Sequence, residues 1–125
     1  MRRTHPTLTT QELAIMKVVW RLGPVTVRDV YTALREARPV AYTTVMTMMN
    51  ILVSKGYLKK DRADRAYKYR PTRQERAVVA SMVREFVNRV FDGASRPLLV
   101  HLVKDGGLTK DEREELLRLI DEAKP

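Results

Sequence analysis

At Gly56 the spacing of apolar residues along the chain changes from a helical repeat to an alternating one. Before this glycine, apolar residues recur at intervals of three and four in three successive segments, which is typical of amphipathic helices. After it, Tyr67 and Tyr69 share one face of a short segment whose other face is basic, which is typical of a β-strand. We therefore expect three helices and then a hairpin over residues 57–70, with its turn at residues 63–65 and both tyrosines packed on the third helix.

Local signals mark the ends of the three helices. Thr9 and Glu12 have the spacing of a capping box, which starts the first helix. Thr26 is a suitable cap for the second helix, which we expect to end at the Arg38-Pro39 step. The third helix is expected over residues 41–55. Three helices followed by a hairpin are the element order of a winged helix-turn-helix domain, so the expected fold class is mainly α.

The face of the third helix opposite its apolar stripe carries short polar side chains and no charge. No acidic residue lies between Ala41 and Lys60, although a solvated helix face usually carries Glu and Lys. Short hydroxyl and amide groups suit a helix in the major groove of DNA, where they meet base edges and thymine methyl groups. A polar contact with another helix or subunit is the alternative. The candidate base-contacting residues are Tyr42, Thr43, Thr44, Thr47 and Asn50.

Positive charge is concentrated in the first part of the chain. Residues 1–73 hold 15 basic and 5 acidic side chains, whereas residues 74–125 hold 9 basic and 10 acidic ones, within a total net charge of +9. Such a local excess favours a polyanionic partner, either nucleic acid or an acidic membrane surface, and double-stranded DNA fits the helix described above. We therefore expect a DNA-binding domain over residues 1–73. Its candidate phosphate ligands are Arg28, Arg62, Arg65 and Lys68.

Residues 74–125 carry three further segments with a helical apolar repeat. Ser95 and Thr109 are suitable caps for the second and third of these helices. Three amphipathic helices of this length form a thin core by themselves, so we expect them to be buried against a second copy of the chain. The expected dimerisation residues are Val79, Met82, Val83, Phe86, Val90, Leu98, Leu102, Leu116, Leu119 and Ile120.

Composition excludes several classes of function. The sequence has no Cys and only two His residues, His5 and His101, so we expect no disulfide, no metal site and no cofactor. No serine has a His–acid partner nearby in sequence and no Gly-rich phosphate loop is present, so we do not expect an enzyme. No apolar run exceeds four residues. We therefore expect neither a membrane span nor a signal peptide, and a cytoplasmic location.

Several stretches of the chain follow a familiar order. They are Leu8–Met16 with Trp20, Val25–Val30, Ala41–Thr47, Lys55–Leu58, Asp64–Tyr69 and Leu108–Glu112. In sequence and spacing they resemble the penicillinase-repressor (BlaI/MecI) family of transcriptional regulators, over nearly the whole chain. The resemblance implies a homodimeric repressor. In such a repressor each winged-helix domain reads half of an inverted-repeat operator, commonly with TACA or TGTA half-sites, and the C-terminal helices dimerise.

Two departures from the family pattern alter what the resemblance implies. Ile51 stands where the family often has Arg, so one operator contact is expected to be missing. The best-known members leave DNA when a membrane sensor-protease system that responds to β-lactams cleaves an Asn-Phe bond. His101-Leu102 stand at that place here, so the resemblance implies this cleavage region without implying the same protease or a β-lactam signal. Copper-responsive relatives carry a Cys-rich tail, which the absence of Cys excludes.

Two other functions are compatible with the residues. A winged-helix module that binds RNA or protein would show no preference for an operator over random duplex DNA. A regulator that senses a small ligand directly would need a polar cluster within an apolar stretch, and the sequence offers none. His101 lies between two apolar residues and is either a pH or metal sensor or a residue of a surface or interface.

Overall fold

The computed structural model describes residues 7–123, which form six α-helices and one two-stranded antiparallel sheet. Residues 1–6 and 124–125, the outer ends of the two predicted regions 1–73 and 74–125, lie outside the described part. The chain divides into two compact units, Met1–Met82 and Val83–Pro125. The elements are α1 (Thr10–Leu22), α2 (Val27–Arg35), α3 (Tyr42–Ser54), β1 (Leu58–Ala63), β2 (Ala66–Pro71), α4 (Glu75–Val90), α5 (Ser95–Lys104) and α6 (Lys110–Glu122).

The first two helices begin at reciprocal caps. The Thr9 hydroxyl accepts from the backbone N–H of Glu12, whose carboxylate accepts in turn from the backbone N–H of Thr9 at 2.8 Å. Thr26 and Asp29 make the same pair of hydrogen bonds at the start of α2. Each cap satisfies two backbone N–H groups that the first turn of a helix leaves without a partner. Both predicted helix starts are therefore confirmed.

Helix α2 ends earlier than the predicted Arg38-Pro39 step. Its last residue is Arg35, and the backbone N–H groups of Ala37 and Arg38 both donate to the carbonyl of Leu34. These bonds close a turn instead of continuing the helix. Proline disfavours helical backbone at the residue before it, and here the chain has left the helix three residues before Pro39.

The core of the first unit lies between the three helices and the hairpin. From α3 it takes Val45, Met49 and Leu52, which have no solvent exposure, as the apolar repeat predicts. Trp20 of α1 packs against this core, and its indole N–H donates to the carbonyl of Arg73 at 3.0 Å. Val78 of α4 belongs to the same core. Packing of α3 on this core turns its opposite face outward.

Strands β1 and β2 form the predicted hairpin with a tighter turn than expected. Ala63 pairs with Ala66, so the turn consists of Asp64 and Arg65 alone. Asp64 has φ +54°, a left-handed conformation that Asp adopts more readily than most residues. The prediction of a three-residue turn is wrong because Ala63 continues the strand.

The base of the hairpin is fixed to the segment before α2. The backbone N–H of Tyr69 donates to the carbonyl of Val25 at 2.7 Å, and the N–H of Val25 donates to the carbonyl of Tyr69 at 3.0 Å. The ring of Tyr69 is buried. Tyr67 was expected to pack beside it on α3, but 43% of its surface is exposed. Tyr67 pairs with Arg62 close to the turn, beyond the part of the hairpin that the core covers. The expectation holds for Tyr69 and is wrong for Tyr67.

The second unit contains the end of α4 and helices α5 and α6. Thr109 and Glu112 form the expected capping box of α6. Ser95 is not the cap of α5, because the left-handed backbone of Asp92 and Gly93 puts Ala94 in the capping position. Many apolar side chains of this unit are exposed, as the dimer hypothesis requires. None of the helices within residues 7–123 has the length and the apolar run needed to cross a membrane.

Candidate nucleic-acid interface

The outward face of α3 consists of uncharged side chains. Thr43, Thr44 and Thr47 are exposed, as predicted for groups that contact bases. Met46 and Ile51 lie exposed on the same helix, at 39% and 41% of their surface. Hydroxyl groups can bond to base edges, and apolar groups can contact the methyl group of thymine. The face therefore has the chemistry of a groove-reading surface, with no carboxylate to repel phosphates.

A ladder of cations and aromatic rings joins α2 to the start of α3. The guanidinium of Arg28 lies 5.4 Å from the ring centre of Tyr42, and that ring meets Tyr31 edge to face at 5.5 Å. On the far side of Tyr31, Arg35 lies 5.3 Å from the ring centre and donates to the phenol oxygen at 3.2 Å. Cation–π and edge contacts of this kind restrict the side chains that take part. The ladder therefore holds Arg28 and Tyr42, two predicted DNA contacts, beside the first turn of α3.

The hairpin presents cations around an exposed aromatic ring. The ammonium of Lys60 lies 4.6 Å from the ring centre of Tyr67, and the guanidinium of Arg62 lies 5.4 Å from it. Arg62, Arg65 and Lys68 are exposed, and within residues 7–123 none of them pairs with a carboxylate. These three predicted phosphate ligands are therefore placed on one hairpin with their charges uncompensated.

Asn50 has a different environment from the threonines of α3. Its amide nitrogen donates to the carbonyl of Met46 at 3.1 Å. Its amide oxygen accepts from the ammonium of Lys60 at 3.0 Å and from the phenol of Tyr69 at 3.2 Å. The sequence predicts Asn50 as a base-contacting residue, and its position on the outward side of α3 agrees with that. Most of its hydrogen-bonding capacity is nevertheless used within the chain.

A partly buried ion pair connects the C-terminal end of α3 to the start of α1. The ammonium of Lys55 lies 2.8 and 3.0 Å from the two carboxylate oxygens of Glu12, and it also donates to the carbonyl of Thr7. Burial raises the pKa of the Glu12 carboxyl. The hydrogen bonds from Lys55 and Thr9 and the charge of Lys55 outweigh that effect and hold this pKa below its usual value. The pair thus ties the outward-facing helix to the rest of the domain.

Several residues of this surface were missed by the sequence reasoning. Met46 follows Thr43 by three positions and shares its side of the helix, so helical spacing could have found it. Arg35 follows Tyr31 by four positions, so helical spacing could also have found that contact, whereas Tyr31 meets Tyr42 of the next helix and no local pattern marks it. The sequence marks Ile51 only as a departure from the family pattern, and its exposure places an apolar group on this surface.

Comparison with known proteins shows which family this chain belongs to. The family model described as penicillinase repressor matches residues 8–122. The chain belongs to the penicillinase repressor family. It is 38% identical over 113 residues to the transcriptional regulator BlaI of Mycobacterium tuberculosis, covering 89% of this chain and 80% of that one. It is 25% identical over 119 residues to the penicillinase repressor of Bacillus licheniformis, covering 95% and 93% of the two chains.

Solved structures of this family share the fold of the first unit. The DNA-binding domain of the repressor BlaI aligns with a TM-score of 0.53 and 27% identity, over 59% of this chain and 90% of that one. The monomeric form of Bacillus licheniformis BlaI, solved in complex with the blaP half-operator, aligns with a TM-score of 0.51 and 27% identity over the same shares. The winged helix-turn-helix and the resemblance predicted from sequence are both confirmed. The relatives of this chain are transcriptional regulators and repressors, a family without enzymatic activity. The expectation that the chain is not an enzyme is therefore also confirmed.

Proposed function

We propose that this chain is a homodimeric transcriptional repressor that binds an inverted-repeat DNA operator. The observation that carries the proposal is the uncharged outward face of α3 beside a hairpin on which Arg62, Arg65 and Lys68 pair with no carboxylate within residues 7–123, in a member of the penicillinase repressor family. The half-operator bound by Bacillus licheniformis BlaI supports the same partner for this chain. Such a protein acts where chromosomal DNA lies, in the cytoplasm.

In the proposed complex, α3 of each protomer enters one major groove. Two grooves one helical turn apart, ~34 Å along the DNA, would match a two-fold symmetric dimer. The exposed Thr43, Thr44 and Thr47 would supply hydroxyl and methyl contacts to bases, and Tyr42 a contact at the helix start. Exposed Met46 and Ile51 add apolar contact area. At the position of Ile51 the family often has an Arg. We therefore propose that reading of the half-site depends on thymine methyl groups.

Phosphate contacts would come from the hairpin and α2. Arg62, Arg65 and Lys68 carry uncompensated charge, and Arg28 is held at the start of α3 by the ring of Tyr42. If each protomer neutralises four phosphates, the logarithm of the binding constant should fall with the logarithm of salt concentration with a slope of about −7. This part of the energy does not depend on base sequence and positions the protein on the duplex.

Dimerisation is proposed to use the apolar side chains of residues 74–125. Val79, Val83, Phe86 and Val90 of α4 are exposed, although apolar side chains in a repeat normally pack against something. Met82 packs partly on the core of the first unit, so we give it a smaller share of the interface. The remaining residues proposed for the interface are Leu98, Leu102, Leu116, Leu119 and Ile120.

Release from DNA is proposed to follow a signal that acts on the dimerisation region. His101 and Leu102 lie exposed in α5, at the place where the resemblance implies cleavage. Proteases bind their substrates as extended chains, so cleavage there would require α5 to unfold locally. Few buried contacts oppose such unfolding, since no residue of α5 is buried. A membrane sensor-protease system is the proposed partner for this step.

Footprinting on the promoter of the chain's own operon, with the full-length protein, tests the proposal. We expect a protected site with two-fold symmetry and half-sites about one DNA turn apart. In competition, random duplex of equal length should displace the protein only at far higher concentration, by roughly 10³-fold or more. Equal competition by random DNA would contradict operator recognition and favour a winged-helix module without specificity.

A further inference from the structure

The side-chain amide of Asn50 is the point where α3, β1 and β2 meet. Its oxygen accepts one hydrogen bond from Lys60 of β1 and another from Tyr69 of β2. Its nitrogen donates back to the carbonyl of Met46, one turn earlier in α3. The amide oxygen has two lone pairs and both are used, which leaves one N–H without a partner among these bonds.

These contacts are incompatible with the usual way in which an asparagine reads a base. Bidentate recognition of adenine requires the amide oxygen to accept from one base atom while the nitrogen donates to another. To free the oxygen, Asn50 would have to release both Lys60 and Tyr69. The phenol of Tyr69 belongs to a residue that is only 3% exposed, so its O–H would lose its partner in a confined site. A buried polar group without a hydrogen-bond partner is unfavourable, which opposes the rearrangement.

Tyr69 connects Asn50 to a second part of the domain. Its backbone pairs with Val25, in the segment that leads into α2, and its phenol reaches Asn50 on α3. The ammonium of Lys60 lies over the same tyrosine, 5.8 Å from its ring centre. Tyr69 is thus held at its backbone by the segment before α2 and at its side chain by Asn50 on α3.

We infer that Asn50 is a positioning residue that fixes the hairpin against α3 and does not read a base. The contact sets the distance between the base-reading threonines and the cations of the hairpin, so both can engage one stretch of DNA together. The inference rests on the proposed function, because it assigns a role within operator binding. It replaces the expectation that Asn50 belongs with Thr43 and Thr47 as a base contact.

Positioning and reading have different signatures in binding data. Loss of a base contact changes the preference at one base pair and leaves other positions as they were. Loss of a positioning contact loosens the hairpin and weakens binding to every operator variant by the same factor. If two residues act through one contact, substituting both should also reduce the affinity no more than the more damaging single substitution does.

The first experiment compares full-length wild type with Asn50→Ala, Tyr69→Phe and the double variant. Each protein is titrated with the operator and with half-site variants that change one base pair at a time, at fixed salt. We expect each single variant to weaken operator binding on the order of tenfold, since the dimer contains the contact twice. The order of affinities for the operator variants should stay that of wild type. The double variant should bind as tightly as the weaker-binding of the two single variants.

Two results would overturn the inference. One is a changed preference at a single base pair in Asn50→Ala that Tyr69→Phe does not share. The other is a loss in the double variant equal to the product of the two single losses. If wild type itself shows no preference for the operator, the proposed function fails instead. Thermal melts of each variant show whether a loss of binding reflects a loss of folded protein.

The second experiment needs no substitution. Asn50 and Asn88 are the only asparagines in the sequence, so protein labelled with ¹⁵N-asparagine gives two pairs of side-chain amide signals. We expect the Asn50 pair to shift little on addition of the operator, because its partners stay within the protein. Asn88 of α4 is the internal reference. A large shift of the Asn50 pair with operator, absent with random duplex, would mean that Asn50 contacts a base.

Discussion

Glu12 takes part in two contacts that stabilise the first unit. It completes the cap of α1 and forms the ion pair with Lys55 at the end of α3. The pKa of its carboxyl is lower in the folded chain than its usual value of 4.5. The folded state therefore gains stability above that value, and the gain is lost as the pH falls through the lower folded pKa. We expect acid to unfold this unit partly through protonation of Glu12.

The variant Lys55→Met isolates the contribution of the ion pair. At pH 7 it leaves the carboxylate of Glu12 buried without its cation, which should lower the free energy of unfolding by about 1–3 kcal/mol. The deficit should shrink as the pH falls through the carboxyl range, because a protonated Glu12 needs no cation. Urea unfolding of both proteins between pH 3 and pH 7 measures it (roughly the titration range of carboxyl groups). A deficit that stays constant across this range would contradict the assignment.

Arg65 at the tip of the hairpin tests the phosphate contacts. Arg65→Ala should weaken binding to operator and to random duplex alike, because a phosphate contact carries no base information. The salt slope should become less steep by about 2, since the dimer loses two phosphate contacts. Titrations at several salt concentrations measure the slope. Lys110→Ala, which removes an exposed cation from α6, is the matched control and should leave the slope unchanged.

At the scale of secondary structure, the ladder between α2 and α3 joins two proposed DNA contacts, Arg28 and Tyr42. Tyr31 is its central member and touches both Tyr42 and Arg35. Tyr31→Leu keeps an apolar side chain on the core but removes the ring, so Tyr42 and Arg28 lose their support. We expect operator affinity to fall about five- to thirtyfold, the worth of one exposed cation–π contact in each protomer of the dimer. Tyr31→Phe keeps the ring and should bind nearly as wild type; an equal loss in both variants would contradict the ladder.

Elements defined by neighbours in sequence could be predicted from the sequence. The caps at Thr9 and Thr109 are correct because Glu12 and Glu112 lie three residues away, within reach of the same helical turn. The hairpin is correct because its alternation is local. The failures depend on backbone geometry that no spacing specifies. Helix α5 begins at Ser95, one residue earlier than its sequence suggests, because the left-handed backbone at Asp92 and Gly93 puts Ala94 in the capping position.

Predictions about the interface divide in the same way. Helical spacing correctly places Thr43 and Thr47 on one exposed face, since residues four apart lie on one side of a helix. The same spacing includes Asn50, and it cannot show that the hairpin folds back to engage the amide. The partners Lys60 and Tyr69 are 10 and 19 residues away, and only the folded hairpin brings them to α3.

At the scale of the whole molecule, the boundary between the two compact units lies within α4. Val78 is buried in the first core and Met82 packs against it, so α4 contributes to the domain that precedes it. The proposed boundary after Arg73 follows the change in charge along the chain. A fragment ending there would lack both side chains, so a fragment of the DNA-binding domain should extend at least to Met82.

Coupling of two half-sites through the dimer leads to the last prediction. Val83 of α4 is 50% exposed and belongs to the proposed interface. Val83→Glu would place a carboxylate in an apolar contact, where an unpaired charge is costly to bury. We expect the variant to sediment as a monomer at concentrations where wild type is a dimer. Ser81→Glu adds the same charge to an exposed position on another side of α4 and should remain dimeric.

DNA binding by Val83→Glu distinguishes an effect on dimerisation from an effect on base recognition. A dimer binds the second half-site at high effective concentration, which raises affinity by ~10²–10⁴ over one half-site. Val83→Glu should lose this factor on the full operator while binding an isolated half-site as wild type does, because α3 and the hairpin are untouched. Equal loss on the full operator and the half-site would mean that the substitution damages the first unit. Unchanged operator affinity in a monomeric variant would contradict a repressor that depends on its dimer.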